Sequence, residues 1–504
     1  MVAFDAAEIL GRLAALREGD APTHGGRVLS YVYDSGVAEI DALASDAIRM
    51  VQPVNGLDPT TFTSVAVMER ELVAFARVLL NGDDDVVGSV TTGGTESCLL
   101  AVKTARDVWR AADGNGRPRI VAPTTVHAAF HKAAHYFDVE LDLVPVDPAT
   151  GIVDVDTMAA RLGSDVALVV VSAPSYPFAS LDPIAEVAAQ CADVGIACHV
   201  DACIGGWILP YWSFADGSPL PPWDFRVRGV TSMSADLHKF GYAPKGASVL
   251  LQRGRDRQRM QYFATTSWPG YPVVNSTMLG SKSAGALAAS WAIVEALGVD
   301  GFAELAQPCM RATRALVDIV GDIEGLRVVG EPVGPLLAVA VDESVEPARQ
   351  VDPHQWADQV RARGWQLQLQ PGLTQADATH LPHTTHLTVT PVTEERLDEL
   401  EAALRASADD VRGAAVVAPQ QVFAGLPEPV RAWLAADGEL VLDSEAALRV
   451  LQQIGLLDLE PGGGADSARL PERMAPFLAL IEALPHPLTE RLLTELLARI
   501  VEPR

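Results

Sequence analysis

A lysine in a glycine-rich loop is the first residue whose type and setting point to chemistry. The 504-residue sequence has 33 arginines but only five lysines, at Lys103, Lys132, Lys239, Lys245 and Lys282. Lys239 lies in the segment SADLHKFGYAPKG, just after a predicted strand. An amine held in such a loop can form a Schiff base with an aldehyde. A surface lysine on a turn is the alternative, but the scarcity of lysine favours a chemical role.

An aspartate at the end of a predicted strand is the second candidate. Asp201 follows the apolar run IACHV, and in open α/β sheets ligands bind beyond the carboxyl ends of the strands. A carboxylate at that position can keep a heterocyclic nitrogen protonated. Taken alone, the motif is equally consistent with a helix cap or a turn.

The segment TTGGTES (91–97) is a candidate anion site. Its glycines and hydroxyls open a predicted helix, so backbone N–H groups and the helix dipole are available to a single phosphate. It has neither GxGxxG nor GK[ST], so neither a dinucleotide fingerprint nor a Walker loop is supported. An ordinary helix cap with Glu96 in the first turn is the alternative.

Three histidines, His127, His131 and His135, have the i, i+4, i+8 spacing of one helix face. No HExxH pattern accompanies them, and the outer two lie two turns apart, so we predict no metal site. His127 begins the helix after the strand IVAP, where its ring can lie over a bound cofactor. The other two are predicted to be helix-surface or packing residues.

These candidates lie on alternating strands and helices. Between residues 66 and 305, apolar runs such as IVAP and VALVVV alternate with amphipathic helices, a pattern that predicts an α/β domain with a mostly parallel sheet. The other predicted regions are an irregular N-terminal arm with one short helix (1–65), a smaller α+β domain (306–410) and a helical C-terminal extension (411–504).

Composition narrows the classes of partner. The net charge of −27 would repel phosphate backbones, so we expect no nucleic-acid partner. Five cysteines without a regular framework fit a reducing compartment. The N-terminus lacks a signal-peptide pattern, and no apolar run approaches the roughly 20 residues of a membrane span. The expectation is a cytoplasmic protein with no membrane span.

Along the chain, the motifs occur in the order phosphate-binding turn, histidine that can stack on a ring, aspartate and lysine. This order resembles that of fold-type I pyridoxal-phosphate enzymes. The chain is similar to the group II pyridoxal-phosphate-dependent decarboxylase superfamily, and within it to the sphingosine-1-phosphate lyases. The segments that carry the resemblance are SVTTGGTES, VHAAFHKAAHYF, HVDACIGGW and DFRVRGVTSMSADLHKFGYAPKGASVLL. It implies pyridoxal 5′-phosphate as cofactor, a seven-stranded sheet in the large domain and a homodimer with shared active sites.

The resemblance also implies roles for individual residues. Lys239 would form the Schiff base with the cofactor, Asp201 would pair with the pyridine nitrogen, and His127 would stack on the ring. The residues implied in phosphate binding are Gly94, Thr95, Ser234 and His238, with Gly270, in SWPGYPVVNST, reaching the partner's phosphate. The further active-site and substrate-side positions implied by the match are Tyr33, Lys245 and Asn55.

Several substrate-side positions depart from the lyase pattern. YPFAS (176–180) replaces a segment close to FPHG, Asp58 replaces a histidine, and Lys282 replaces an arginine. A carboxylate at Asp58 would repel a substrate phosphate if it faced the pocket. The overall motif match implies a carbon–carbon lyase that cleaves a phosphorylated amino alcohol to an aldehyde and an amine. The altered substrate-side positions favour the alternative, an amino-acid decarboxylase that releases carbon dioxide. A non-catalytic binding protein on this fold is the third hypothesis.

Overall fold

A seven-stranded sheet lies at the centre of the large domain. The computed structural model describes residues 4–112, 114–415, 442–453 and 472–503, and positions 417, 424, 428 and 431. The strands are β1 (Val86–Thr91), β2 (Arg119–Pro123), β3 (Glu140–Val144), β4 (Val166–Ser172), β5 (Ala197–Asp201), β6 (Val230–Ala235) and β7 (Ser248–Arg253). Their order is β1-β7-β6-β5-β4-β2-β3, and β7 alone of these seven runs antiparallel to its neighbours. The predicted fold class is confirmed.

Alternate residues of the central strands face opposite sides of the sheet. In β2, Ile120 packs in one apolar cluster and Val121 in the other, and Leu168 and Val169 of β4 divide in the same way. Both faces are therefore buried, which explains why these strands are continuous apolar runs rather than alternating ones. The helices from the arm through the large domain are α1 (Ala6–Arg17), α2 (Ala38–Val51), α3 (Thr63–Leu79), α4 (Gly94–Ala111), α5 (Ala128–Phe137), α6 (Val155–Ala159), α7 (Ile184–Val194), α8 (Arg255–Arg259) and α9 (Gly285–Gly321).

The N-terminal arm contains more helix than the sequence pattern suggested. The short helix α1 is present as predicted, but α2 lies in the part predicted to be irregular. Ile40 and Ala44 of α2 are buried, and α2 packs along α9. Tertiary packing thus stabilises a helix that the sequence analysis missed.

The small domain has a four-stranded antiparallel sheet in the order β10 (Leu326–Val328), β11 (Leu336–Val341), β15 (Thr384–Thr388) and β12 (Gln368–Gln370). A two-stranded hairpin, β13 (Leu373–Thr374) and β14 (His380–Leu381), lies beside it, and a second hairpin, β8 (Phe263–Thr265) and β9 (Val273–Asn275), precedes α9. The remaining elements are α10 (Pro353–Ala362), α11 (Pro391–Glu395) and α12 (Leu397–Val411).

Helix α9 joins the two domains. Its first part packs in the large core through Ile293 and Phe302, and its last part packs in the small-domain core through Leu316 and Val320. Gly298 has a positive φ of 55° and breaks the helical geometry within the part that packs in the large core. By length and composition α9 is apolar enough to cross a membrane, but its buried residues form the cores of both domains.

Three described helices belong to the predicted C-terminal extension: α13 (Ser444–Gln453), α14 (Ala475–Ala483) and α15 (His486–Val501). They share an apolar cluster that includes Leu451, Leu480 and Leu492. Of the predicted extension, the structure describes only the ranges and single positions given above.

Candidate active site

Two adjoining cavities share Lys239, His127 and Tyr176 in their walls. The sheet-side cavity, of about 580 Å³, lies over the carboxyl ends of the strands and includes Asp201. The junction cavity, of about 450 Å³, lies between the arm, the large domain and residues 368–384 of the small domain. The predicted lysine, aspartate and histidine therefore face one continuous site.

Lys239 forms a buried ion pair that the sequence analysis missed. Its Nζ lies 2.9 Å from Oδ2 of Asp236, and Nε2 of His238 lies 3.6 Å from the same oxygen. Burial acts to lower the pKa of Lys239, but the charge and hydrogen bond of Asp236, together with Tyr33 and Cys203, outweigh burial and hold the pKa well above its ordinary value. Burial likewise acts to raise the pKa of Asp236, and Lys239 and His238 together bring it below the usual range. The amine is thus held as an ammonium ion beside Asp236.

Asp201 ends β5 in the floor of the sheet-side cavity. Its Oδ1 accepts hydrogen bonds from the backbone N–H of Cys203, at 3.1 Å, and from Oγ of Ser234, at 3.4 Å. These contacts fix the orientation of the carboxylate before any ligand enters.

Ser234, predicted to bind the cofactor phosphate, lies behind Asp201. Ser234 is fully buried at the end of β6, does not line either cavity, and contacts His199, Cys203 and Asp201. Burial lowers the pKa of His199 to about 4, so this ring is neutral within the network. Ser234 therefore supports the Asp201 carboxylate from behind.

The predicted phosphate turn opens α4 at the rim of the sheet-side cavity. Gly93, the residue before the helix, has no side chain to cap the first N–H groups and has a positive φ of 141°. A Cβ on Gly94 would lie 2.5 Å from the Asp236 carboxylate and 2.8 Å from Sγ of Cys203. Gly94 and Thr95 both line the cavity. The two glycines thus allow the turn to pack against the lysine loop while its amides remain available to an anion.

His127 precedes α5 and caps it, with Nδ1 accepting from the N–H of Ala129 at 3.1 Å. Burial lowers the pKa of His127, so the ring is neutral at physiological pH. His131 and His135 are exposed on the helix.

Tyr33 and Lys245 lie together next to Lys239. Nζ of Lys245 is 4.5 Å from the centre of the Tyr33 ring and donates to the backbone carbonyl of His238 at 3.0 Å. Burial, with the charge of Lys239, lowers the pKa of Lys245 to about 8, and burial raises the pKa of Tyr33. Tyr33 lines the junction cavity and Lys245 the sheet-side cavity, so the pair lies where the two cavities meet.

Asn55 and Lys282 lie against each other and outside both cavities. Oδ1 of Asn55 accepts from the N–H of Lys282 at 3.3 Å, and its Nδ2 donates to Oγ of Ser281 at 3.2 Å. Nζ of Lys282 lies 3.4 Å from Oγ1 of Thr277. Within one chain the structure does not bring these predicted substrate-side residues to Lys239.

Asp58 and Gly270 are also outside the two cavities. The carboxylate of Asp58 accepts hydrogen bonds from Thr60 and Thr61, which lower its pKa to about 2. Asp58 therefore closes the turn before α3. Gly270 lies in the loop between β8 and β9, against the exposed ring of Trp268.

Two residues of the site were missed by the sequence analysis. Asp236 stands three positions before Lys239 in SADLHK, and a helical turn after β6 would have brought the two together. Tyr176 lies in both cavity walls, stacked on His386 with ring centres 4.2 Å apart. No local pattern links Tyr176 with a histidine 210 positions later.

The site fits pyridoxal phosphate. The glycine turn offers uncapped amides for a phosphate, Asp201 offers a fixed carboxylate, and Lys239 offers an amine between them. Oδ1 of Asp236 is buried without a hydrogen-bond partner among the described residues, so the pocket offers a hydrogen-bond acceptor beside the lysine. The fold and this site define a pyridoxal-phosphate-dependent enzyme of fold type I.

Comparisons with known proteins specify the family. The sequence model of the pyridoxal-dependent decarboxylase conserved domain matches residues 59–340. A second model, for a C-terminal HTH domain of pyridoxal-dependent enzymes, matches residues 424–499. The chain belongs to the pyridoxal-dependent decarboxylase family.

Individual relatives resemble the chain over different lengths. It is 40% identical to sphingosine-1-phosphate lyase of Dictyostelium discoideum over 307 residues, 61% of this chain and 58% of that protein. The chain thus spans well under two thirds of that relative. The solved sphingosine-1-phosphate lyase of Burkholderia pseudomallei has a TM-score of 0.74 and 31% identity, and the match covers 86% of this chain and 96% of that one. Glutamate decarboxylase of Lactobacillus brevis, at 20% identity, shares the fold with a TM-score of 0.70, over 82% of this chain and 94% of that one.

Proposed function

We propose that this enzyme is a carbon–carbon lyase that cleaves a phosphorylated amino alcohol by retro-aldol reaction into an aldehyde and an amine. The proposal rests chiefly on the convergence of Lys239, Asp201 and His127 on one cavity, in a chain whose relatives at 30–40% identity are named sphingosine-1-phosphate lyase. The intact lysine and aspartate argue against a non-catalytic binding protein.

Bound pyridoxal phosphate supplies an electron sink for the carbanion that remains on the substrate when a bond to its Cα breaks. The carboxylate of Asp201 would keep the ring nitrogen protonated, because an anion favours the charged form of its partner. The ring of His127 would lie over the cofactor ring. The Nζ of Lys239 would donate the proton that Cα takes up after the carbon–carbon bond breaks.

In a retro-aldol step the hydroxyl next to Cα loses its proton as the carbon–carbon bond breaks and the aldehyde forms. A base near that oxygen is required. Lys245 is suited to this role, because with a pKa of about 8 a useful fraction of its amine is neutral at physiological pH. Tyr33, whose raised pKa keeps its hydroxyl protonated, can donate a hydrogen bond beside it.

If Lys245 is this base, the rate of cleavage should rise as the pH passes through about 8 and level off above it, since the neutral amine predominates there. A Lys245→Arg variant stays charged over this range, so its rate should be low and should show no rise near 8. Steady-state rates measured from pH 6 to about 9.5 in both proteins test this. A rise of equal size in the variant would assign the proton transfer to another group.

The junction cavity is suited to an apolar tail. Its described lining includes the side chains of Phe178, Leu369, Leu373 and Leu381, and it adjoins Lys239. A long hydrocarbon chain buried there would contribute roughly 0.8 kcal/mol for each CH₂ group. This supports a long-chain amino alcohol over a short one.

Amino-acid decarboxylation is the second candidate, and one observation favours it. Phe178 replaces a histidine of the lyase pattern and lines the junction cavity, whose described lining contains no arginine and no lysine but Lys239. A carboxylate is poorly solvated in such surroundings, which favours its loss as carbon dioxide. Incubation of the holoenzyme with long-chain phosphorylated amino alcohols and with amino acids, followed by separate assays of aldehyde and carbon dioxide, distinguishes the two activities.

We also propose a homodimer with shared sites. Helix α1 has no buried residue and exposes an apolar stripe of Ile9, Leu10, Leu13 and Leu16, and the loop that contains Gly270 is exposed. Mixing a Lys239→Arg protein with a Lys282→Ala protein tests this. If Lys282 acts in the partner's site, hybrid dimers regain activity that neither parent has. Failure to regain activity, or a monomer by light scattering, would refute the shared site.

A further inference from the structure

The hairpin formed by β13 and β14 is one wall of the junction cavity. The four residues of this segment that line the cavity are all apolar: Pro371, Leu373, Leu381 and Pro382. The remaining cavity walls come from the large-domain segments that follow β2, β4 and β6, from the arm, from β12 and from the first residue of β15. The position of residues 371–382, called here the wall hairpin, therefore determines the width of the cavity.

The large domain holds one end of the wall hairpin. The side-chain amide of Gln375, which is buried, exchanges two hydrogen bonds with the backbone of Val146: Oε1 accepts from N–H at 2.9 Å, and Nε2 donates to the carbonyl at 2.8 Å. This pair of hydrogen bonds resembles the pair that two neighbouring strands exchange in a sheet, and it fixes the hairpin to the segment after β3.

The C-terminal extension holds the other end. Oε1 of Glu482, in the last turn of α14, accepts a hydrogen bond from the backbone N–H of Gly372 at 2.9 Å. Gly372 stands between two cavity-lining residues, and a Cβ at this position would lie 2.9 Å from the His380 ring. A charged acceptor makes this bond stronger than one between neutral groups.

Helix α14 is itself firmly attached to the small domain. Oδ1 and Oδ2 of Asp358, on α10, accept from the N–H groups of Met474 and Ala475 at 2.8 and 3.0 Å, at the start of α14. Leu478 is buried in the small-domain core, and Phe477 packs against it. Glu482 therefore projects from a fixed helix onto the wall hairpin.

We propose that Glu482 is a positioning residue through which the C-terminal extension fixes the position of the wall hairpin. The position of the hairpin in turn determines how well the apolar tail of the substrate fits in the junction cavity. The identity of that tail rests on the function proposed above. The contact between the extension and the hairpin does not depend on it.

Hydrogen exchange of the full-length holoenzyme tests the contact directly. In Glu482→Ala the amides of the wall hairpin should exchange faster than in the unaltered protein, by about tenfold, because the acceptor is lost. Glu482→Gln keeps an Oε1 acceptor and should restore most of the protection. The matched control is Glu472→Ala, an exposed carboxylate just before the same helix, which should leave the hairpin unchanged. Equal exchange in Glu482→Ala and the unaltered protein would overturn the proposal.

Kinetics test the consequence for the substrate. For long-chain substrates, KM of Glu482→Ala should rise by roughly three- to tenfold with kcat changed little, since a uniform binding interaction is lost. Short-chain substrates should show a smaller rise. Faster exchange with an unchanged KM would overturn the role in tail binding. If the hairpin exchanges faster but no amino alcohol is cleaved even by the unaltered enzyme, the proposed function fails and the positioning role of Glu482 stands.

Discussion

Replacing Lys239 by arginine should leave a folded protein that has lost turnover by several orders of magnitude. Arginine keeps a positive charge beside Asp236, whose carboxylate is only 1% exposed and would otherwise lack its closest cation. It cannot form the Schiff base, and it remains protonated at every working pH, so it cannot act as an acid or base. Loss of the proton transfer alone accounts for about 10²–10⁴ in rate.

Lys239→Ala should lose as much activity and should also be less stable. It leaves the buried Asp236 with His238 as its nearest partner, and the loss of one member of a buried pair costs about 3–5 kcal/mol. A lower unfolding midpoint for the alanine variant than for the arginine variant would therefore report the ion pair.

Borohydride reduction provides the measurement for both variants. In the unaltered enzyme, reduction followed by peptide mass spectrometry should find the pyridoxyl group on Lys239, and neither variant should carry it there. Lys103→Ala, a lysine outside both cavities that pairs with Asp107, is the control and should still be labelled at 239. Labelling of another lysine in the unaltered enzyme, or normal turnover by Lys239→Arg, would contradict the assignment.

The part of the site that could be predicted from sequence consists of residues in short motifs at strand ends. Lys239, Asp201 and His127 each follow or end a strand, and parallel strands bring their carboxyl ends to one edge of a sheet. The fold class was predictable for the same reason, because strands buried on both faces are apolar throughout. The family resemblance then supplied the cofactor.

The rest required tertiary structure. The hydroxyl of Ser234 is a group that can bind a phosphate, but the direction in which the end of β6 points places this hydroxyl behind Asp201. Glu482 contacts a residue 110 positions earlier in the chain, which no local pattern indicates. The positions Asn55 and Lys282 lie outside both cavities of their own chain, so their predicted roles depend on a partner subunit.

Asp201→Asn should fold normally and still bind the cofactor, yet turn over more slowly by roughly ten- to a hundredfold. Asparagine has nearly the same shape, and its Oδ1 can accept the same hydrogen bonds from Cys203 and Ser234. It cannot hold a proton on the pyridine nitrogen, because it carries no negative charge. A hydrogen bond to a charged group contributes about 1.5–3 kcal/mol, and a loss of that size in the transition state corresponds to the stated change in rate.

The measurement that isolates this effect is the single-turnover rate of the Asp201→Asn enzyme saturated with cofactor, compared with that of Ser234→Ala. Ser234→Ala removes one hydrogen bond from the carboxylate and leaves its charge, so it should lose much less activity than Asp201→Asn. Cofactor content, followed by the visible absorbance of the bound pyridoxal group, should be the same in all three proteins. If Asp201→Asn kept the rate of the unaltered enzyme at equal cofactor content, the nitrogen would not need its proton. The electron-sink role assigned through Asp201 would then be wrong, even though Lys239 still carried the cofactor.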